Sequence, residues 1–225
     1  QRLHLSSRSW GLGPLKEAGV RYNSNDNISE YVKEGELEQL QQEVQDQFQS
    51  VLDSLVIDTA NDHNTQETAK RVAKMYEQEI FGGRFQPTPR VTAFPNMGYK
   101  SMYTSGPISI RSTCAHHFQN IVGKCWVGII PEDEVIGLSK FNRLVHHIAE
   151  RPQIQEEMTS AIADRLSLFA KTPHVAVIVK AEHHCMTHRG VREHVILMVS
   201  FQNMRNIQYQ KTWLKPFRLS ILGRS

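Results

Sequence analysis

The chain has 225 residues, 40% of them apolar and 22% charged, enough for one sizeable buried core and a peripheral segment. Twenty-six Lys and Arg against 23 Asp and Glu leave a formal charge of +3. That is too balanced for a nucleic-acid coat, so any anion must be bound by a local constellation. Three cysteines argue against a disulfide framework and suit a reducing compartment or metal ligation. No run approaches the roughly 18 apolar residues of a membrane span, and the reading is of a cytoplasmic protein without nucleic-acid or membrane partners.

Residues 1–34 are rich in Ser, Asn and Gly with little periodicity and read as a flexible N-terminal arm. Its opening, QRLHLSSRSWGLG, lacks the apolar run of a secretory signal; with no acid before Glu17 it has only a faint likeness to an organellar transit segment. Leu37, Leu40, Val44, Phe48, Val51 or Leu52, and Leu55 then recur every three or four residues, predicting a helix over about 36–56. A second helix is expected after Asn64, where Asn64 and Glu67 have capping-box spacing and Ala69, Val72, Ala73, Tyr76 and Ile80 continue a stripe up to Gly82 and Gly83. Residues 35–90 are therefore expected to form an antiparallel helical pair.

From 91 the pattern changes to short β-rich runs at Arg90–Phe94, Ile108–Thr113, Ile121–Ile130, Val175–Glu182 and Val195–Phe201. Between the third and fourth lie two amphipathic helices, about 140–150 and 153–169, divided at Pro152. The order reads as α+β, an antiparallel sheet backed by helices on one face. We assign 91–202 to this second domain and 203–225 to an atypical C-terminal tail.

Histidine is doubled at 116–117, 146–147 and 183–184, which is unusual for structural helices and strands. Cys114-Ala-His-His117 is expected just after one strand, and His183-His-Cys185 at the end of another. Two thiolates and one imidazole leave a fourth tetrahedral position open, the arrangement of a catalytic rather than a structural zinc. Cys114 and His117 are three apart across a turn and reach one ion. His183 and Cys185, two apart, share a face if the segment is extended. His116 and His183 then stand beside the metal without having to ligate it, where an imidazole can trade protons near neutral pH. Alone, C-x-x-H recurs by chance as a buried thiol and a surface histidine; the distant H-x-C tips the reading to a metal. Cys125 sits inside an alternating apolar run and reads as core.

Ser139, Lys140 and Arg143 open the first late helix, with Ser139 expected at the N-cap. A hydroxyl and two cations at a helix N-terminus suit a phosphate, although a capped helix with a solvated basic face has the same spacing. Arg189 is a third cation, four residues beyond Cys185. Gln155 and Glu156 lie off the apolar stripe of the next helix; they can read a base edge, or simply be solvent-exposed.

TCAHHFQNIVGKCWVGIIPEDEVIGLSKFNRLVHHIAERPQIQEEMT, followed by AEHHCMTHRGVRE and preceded by ETAKRVAKMYEQEIFGG, closely resembles GTP cyclohydrolase I, over roughly residues 36–193. The resemblance implies the tunnelling fold, a four-stranded antiparallel sheet with two helices on one face, assembled as a ring, in that family a homodecamer. It implies hydrolysis of GTP to formate and 7,8-dihydroneopterin triphosphate, the entry to folate and biopterin synthesis. By matching positions, Cys114, His117 and Cys185 would bind Zn2+, while His116 and His183 would handle protons. Ser139, Lys140, Arg143 and Arg189 would contact triphosphate and ribose, with Arg71 contributed from a neighbouring subunit, and Gln155 and Glu156 would read guanine.

Three departures stand out. Ala115 replaces the family's usual Glu, Ala69-Lys70 its usual Pro-His, and after Glu193 the chain runs apolar and then basic instead of Ser/Thr-rich. The first and third motivate an alternative: a catalytically weakened ring-forming homologue that binds zinc and nucleotide without full turnover. A zinc nucleobase deaminase would want H-x-E with C-x-x-C, and neither stands beside this cluster.

Overall fold

The computed structural model describes residues 12–192 and 197–204. The chain divides into two units, Gln1–Pro87 and Thr88–Ser225. The opening residues 1–11 and the tail beyond 204, which the sequence sets apart, lie outside the described residues.

In the first unit, the segment expected as a flexible arm is structured from residue 12 onward. Helix α1 (Leu12–Glu17) and a 3-10 turn (Ser29–Tyr31) bury Leu15 and Ile28. The Arg84 guanidinium donates to the backbone carbonyls of Asn23 and Asp26 at 2.5 and 3.0 Å, and the Asn27 side chain donates to those of Gly83 and Gln86. Polar composition suggested disorder here, but its carbonyls are tied down by one long-range cation.

Helix α2 (Glu36–Ser54) packs against α3 (Thr68–Lys74) through Leu52, Ala69 and Ala73. Of the two candidates at 51 and 52, Leu52 is the buried one; Val51 is 47% exposed. The remaining stripe, Leu37, Leu40, Val44 and Phe48, instead lines an apolar hollow of about 450 Å³ with Leu15, Ile28 and Phe85. The expected capping box is absent. Glu67 occupies the N-cap without a side-chain bond, because Asn64 bonds Asp62 in a run of local Asn and Asp turns that also joins Asn61 to Asp58. Nor do Gly82 and Gly83 stop the helix: after a π-helical stretch (Met75–Ile80) they lie inside the short α4 (Gly82–Phe85).

The second unit holds β1 (Ala93–Pro95), β2 (Tyr103–Cys114), β3 (Asn120–Ile129), β4 (Glu134–Ile136) and α5 (Leu138–Ala149), then β5 (Pro152–Gln153), α6 (Gln155–Ala170), β6 (His174–His183), α7 (His184–Thr187) and β7 (Leu197–Met204). The large sheet has five strands rather than four, ordered β5-β2-β3-β6-β7. Its long strands are antiparallel, and the two-residue β5 adds to β2 in parallel. The run expected at Arg90–Phe94 forms only β1, which pairs with β4 in a separate two-stranded sheet.

Alternation dictates the core. Ile108 and Ile110 of β2, Ile121, Cys125, Val127 and Ile129 of β3, and Val175, Val177 and Val179 of β6 share one cluster. Onto it α5 lays Phe141, Leu144, Val145 and Ile148, and α6 lays Met158, Ile162 and Leu166. Each such side chain contributes on the order of 1.5–3 kcal/mol. Two glycines permit close approach. Gly106, with φ +147°, lies in the β2 bulge where a Cβ would strike the Trp126 ring; at Gly123 it would strike Lys180 O and Ala181 Cα across the ladder.

His147 is the polar exception on the core side of α5: it is buried, and its Nε2 has no partner among the described residues. Burial, followed by the charges of Arg151 and Arg165, lowers its pKa from 6.5 to about 4. The unfolded chain thus takes up a proton near pH 6.5 that the folded chain refuses until about pH 4. This contribution is complete above pH 6.5 and is lost as pH falls through that window, at up to about 1.4 kcal/mol per pH unit. Urea melts from pH 7.5 to 4.5 should show His147→Leu losing less stability than wild type. Gly123→Ala should cost several kcal/mol and lower the urea midpoint at every pH.

Candidate active site

Cys114 is the last residue of β2 and is buried. Its N–H donates to Gln119 O at 2.8 Å and its carbonyl accepts from Phe118 N–H at 2.9 Å, closing a tight connection to β3. Phe118 takes φ +51°, a left-handed conformation that lets this turn reverse within four residues. The turn leaves His116 and His117 exposed, their ring centroids 6.4 Å apart. Ala115, where the resemblance leads one to expect Glu, contributes only its backbone N–H, bonded to Gln153 O.

Antiparallel register sets Ile121, at the start of β3, opposite His183, at the end of β6. The β2–β3 turn and the β6 terminus therefore meet. The chain does not stay extended there: α7 starts at His184, so Cys185 is brought round by a helical turn and not by strand alternation. One donor atom from each of Cys114, His117 and Cys185 lies within 4.8 Å of the other two. Ligand atoms around a tetrahedral zinc are roughly 3.4–3.8 Å apart, given Zn–S and Zn–N bonds of about 2.3 and 2.0–2.1 Å. Burial and the adjoining Cys114 thiol push the Cys185 thiol's pKa up, with Arg189 opposing. Two thiolates side by side call for a cation between them, so the donor set fits a metal ion. Cys125, by contrast, is a core thiol whose pKa burial drives upward.

The flanking histidines differ. His116 has Nδ1 3.9 Å from Cys114 Sγ. His183 is buried, with Nε2 2.9 Å from Gln155 Oε1. Burial lowers its pKa and the Glu156 carboxylate partly restores it. Gln155, read from sequence as off the apolar stripe, is wholly buried at the first position of α6, its amide engaged with Val179 and His183. Glu156, the next residue, is exposed.

The structure thus gathers Cys114, His116, His117, Gln155, Glu156, His183, Cys185 and Arg189 at one end of the sheet. It does not bring Ser139, Lys140 and Arg143 there. They open α5, where Tyr103 at the far end of β2 holds Ile136 N–H and its ring abuts Phe141. The C-terminal end of α5 lies instead at the Cys114 end, where Ser112 Oγ donates to Arg151 O. A twelve-residue helix separates the two by about 18 Å. The N-cap of α5 is Gly137 and not Ser139, which sits one residue inside the helix. Arg71 is exposed on α3 of the first unit.

Two features escaped the sequence reading. Gln153 is buried and donates to Ile148 O at 2.6 Å, holding the end of α5 against β2; a polar residue between Pro152 and Ile154 gives no periodic signal. His184 and His188 stack at 4.4 Å, and their four-residue spacing was the available cue.

A family profile described as GTP cyclohydrolase I matches residues 44–218, continuing past Glu193, where the sequence had suggested the likeness ends. GTP cyclohydrolase 1 of Tolumonas auensis is 42% identical over 154 residues, 68% of this chain and 71% of that protein. The Yersinia enterocolitica protein of the same name is 41% identical over 67% of this chain and 69% of its own length. That of an Escherichia coli strain is 43% identical over 64% and 65%. The chain thus spans about two thirds of these relatives. Among solved structures, the apo archaeosine synthase QueF-Like aligns with a TM-score of 0.38 at 15% identity, covering 48% of this chain and 94% of that one, a likeness too remote to bear on fold or function.

The donor set makes a direct prediction. Titrating metal-free protein with Co2+ should produce a thiolate-to-cobalt absorption band at one ion per chain, and Cys185→Ser should weaken retention at least tenfold while leaving the far-ultraviolet dichroism intact. Unchanged stoichiometry and band in the variant would remove Cys185 from the ligand set.

Proposed function

The chain belongs to the GTP cyclohydrolase I family, and from that premise we infer that it hydrolyses GTP at C8 of the purine, releasing formate and forming 7,8-dihydroneopterin triphosphate, the first step of tetrahydrofolate and pterin biosynthesis. The observation that carries the reading is the convergence of Cys114, His117 and Cys185 beside His116 and His183 in a chain of this family.

Cys114, His117 and Cys185 would hold Zn2+, the ion that suits two thiolates and an imidazole with one position left open. When bound, zinc supplies Lewis acidity that brings the pKa of water to about 7. The protein supplies the rest. Glu156, exposed at the first turn of α6, accepts from the guanine N–H groups and holds the purine with its imidazole ring toward the cluster. His116, at the cluster's open side, gives and recovers protons as the C8–N9 bond breaks and formate departs. His183, at the inner side, does the same for the ribose during rearrangement and reclosure. Arg189 adds a cation beside Cys185 for the ribose and triphosphate.

Ser139, Lys140 and Arg143 form a triphosphate site at the N-terminal turn of α5. That turn lies at the opposite end of its own sheet, so in our reading it serves the cluster of another copy, and Arg71 reaches a site from a further subunit. The tunnelling fold closing into a homodecameric ring accounts for both, and the half-exposed apolar stripe of α2 supports burial between copies. None of the described helices is long and apolar enough to cross a membrane.

Purified zinc-loaded protein incubated with GTP should release one formate per GTP and, after oxidation, yield a fluorescent neopterin. Cys185→Ser should lower the rate at least a hundredfold. GTP that stays intact with zinc fully loaded would overturn the assignment.

A further inference from the structure

We propose that Gln153 is a positioning residue for the metal cluster: its amide locks the short strand β5 to the end of α5, and its carbonyl then holds the turn that carries Cys114 and His117. This rests on the reading of those two residues, with Cys185, as the metal ligands.

The turn takes an anchor from outside itself. His116 and His117 are exposed, and the bonds from Cys114 N–H to Gln119 O and from Phe118 N–H to Cys114 O begin and end within the turn. Ala115 N–H instead reaches out to Gln153 O at 3.2 Å. Ala115 adjoins Cys114 and lies two residues before His117. Cys114 and Gln153 are also paired in the parallel ladder between β2 and β5. That ladder joins only Thr113 to Pro152 and Cys114 to Gln153, and so short a pairing does not sustain itself in water.

The Gln153 side chain supplies what the ladder lacks. Its Nε2 donates to Ile148 O at 2.6 Å and lies 3.3 Å from Ala149 O and 3.4 Å from Ser112 Oγ. Both carbonyls only accept, so the nitrogen is the end of the amide that faces them. Ile148 O stands in the last turn of α5, where the helical partner four residues on is Pro152, which has no N–H. Gln153, the next residue and itself buried, replaces that missing donor. Helix α5 is seated in the core through Phe141, Leu144, Val145 and Ile148. Support therefore runs from the core through α5 and Gln153 to Ala115. Cys185 arrives separately on α7, so the spacing of the three donors depends on where this turn is held. An apolar side chain at 153 would fill the space and leave the strand untied.

Cobalt reads the spacing without GTP. Against a wild type that binds one Co2+ through its thiolates, Gln153→Met, of equal length but without a donor, should weaken retention about 10–100-fold and change the visible band of the bound ion, with the dichroism spectrum intact. Ile162→Val, a core change on α6, should lower the urea midpoint yet leave Co2+ affinity within twofold. Ala115→Pro deletes the N–H that Gln153 accepts and leaves Gln153 and α5 untouched; it should weaken retention at least tenfold, and it decides the matter if Gln153→Met does not fold. Wild-type affinity and band in a folded Gln153→Met, or in Ala115→Pro, would overturn the proposal. So would an equal loss in Ile162→Val, the mark of stability alone. A wild type that binds no Co2+ through thiolates would overturn the ligand reading and this proposal with it, whereas a normal wild type beside an unaffected Gln153→Met would overturn the proposal only.

Discussion

Ile121 pairs with His183, and the candidate site follows from that single register. It sets the turn after β2 beside the end of β6, which brings two cysteines from distant stretches of chain within ligating range of one ion. A slip of one residue would exchange the faces of β6, turning Val179 and His183 away from Gln155 and the valines away from α5 and α6. The register is held from both sides: the inward apolar set cannot be moved without exposing it, and Gly123 lets the β6 backbone approach where any side chain would collide.

Around that register the polar groups are graded by burial. Gln153 and Gln155, two residues apart, are both buried and both hydrogen-bonded, the first tying the end of α5 to β2 and the second tying α6 to β6. His116, His117 and Glu156 are exposed. The groups that hold the frame are thus dry; of those proposed to meet a substrate, His116 and Glu156 are wet, while His183 is buried. Cys185, part-buried, stands between the two.

Much of this was legible in the residues. The amphipathic periodicity of α5 and α6 placed both helices, because each packs one apolar face on the sheet. The Cys and His cluster was legible for a chemical reason: few other uses pair two thiols with doubled histidines. What failed did so where short-range spacing stood in for long-range contact. Asn64 and Glu67 had the spacing of a cap, but Asp62 captured Asn64 first. Residues 12–34 looked too polar to order, but Arg84 gathers their carbonyls from about 60 residues away. Gln155 looked like part of a polar helix face, and only β6, with a carbonyl at 179 and an imidazole at 183, shows why an amide is buried there. Likewise H-x-C suggested an extended segment, where α7 in fact makes a helical turn.

The length of α5 has a genetic consequence. In the proposed ring, where the first turn of α5 serves the Cys114 cluster of another copy, the sites would be composite. A subunit crippled at Lys140 and another crippled at Cys185 would then each be defective alone, while a mixed ring would regain those sites to which each contributes its intact half. By the same arithmetic, one damaged copy in a ring of good ones disables sites that are not its own, so loss of function in this fold would be felt beyond the altered chain.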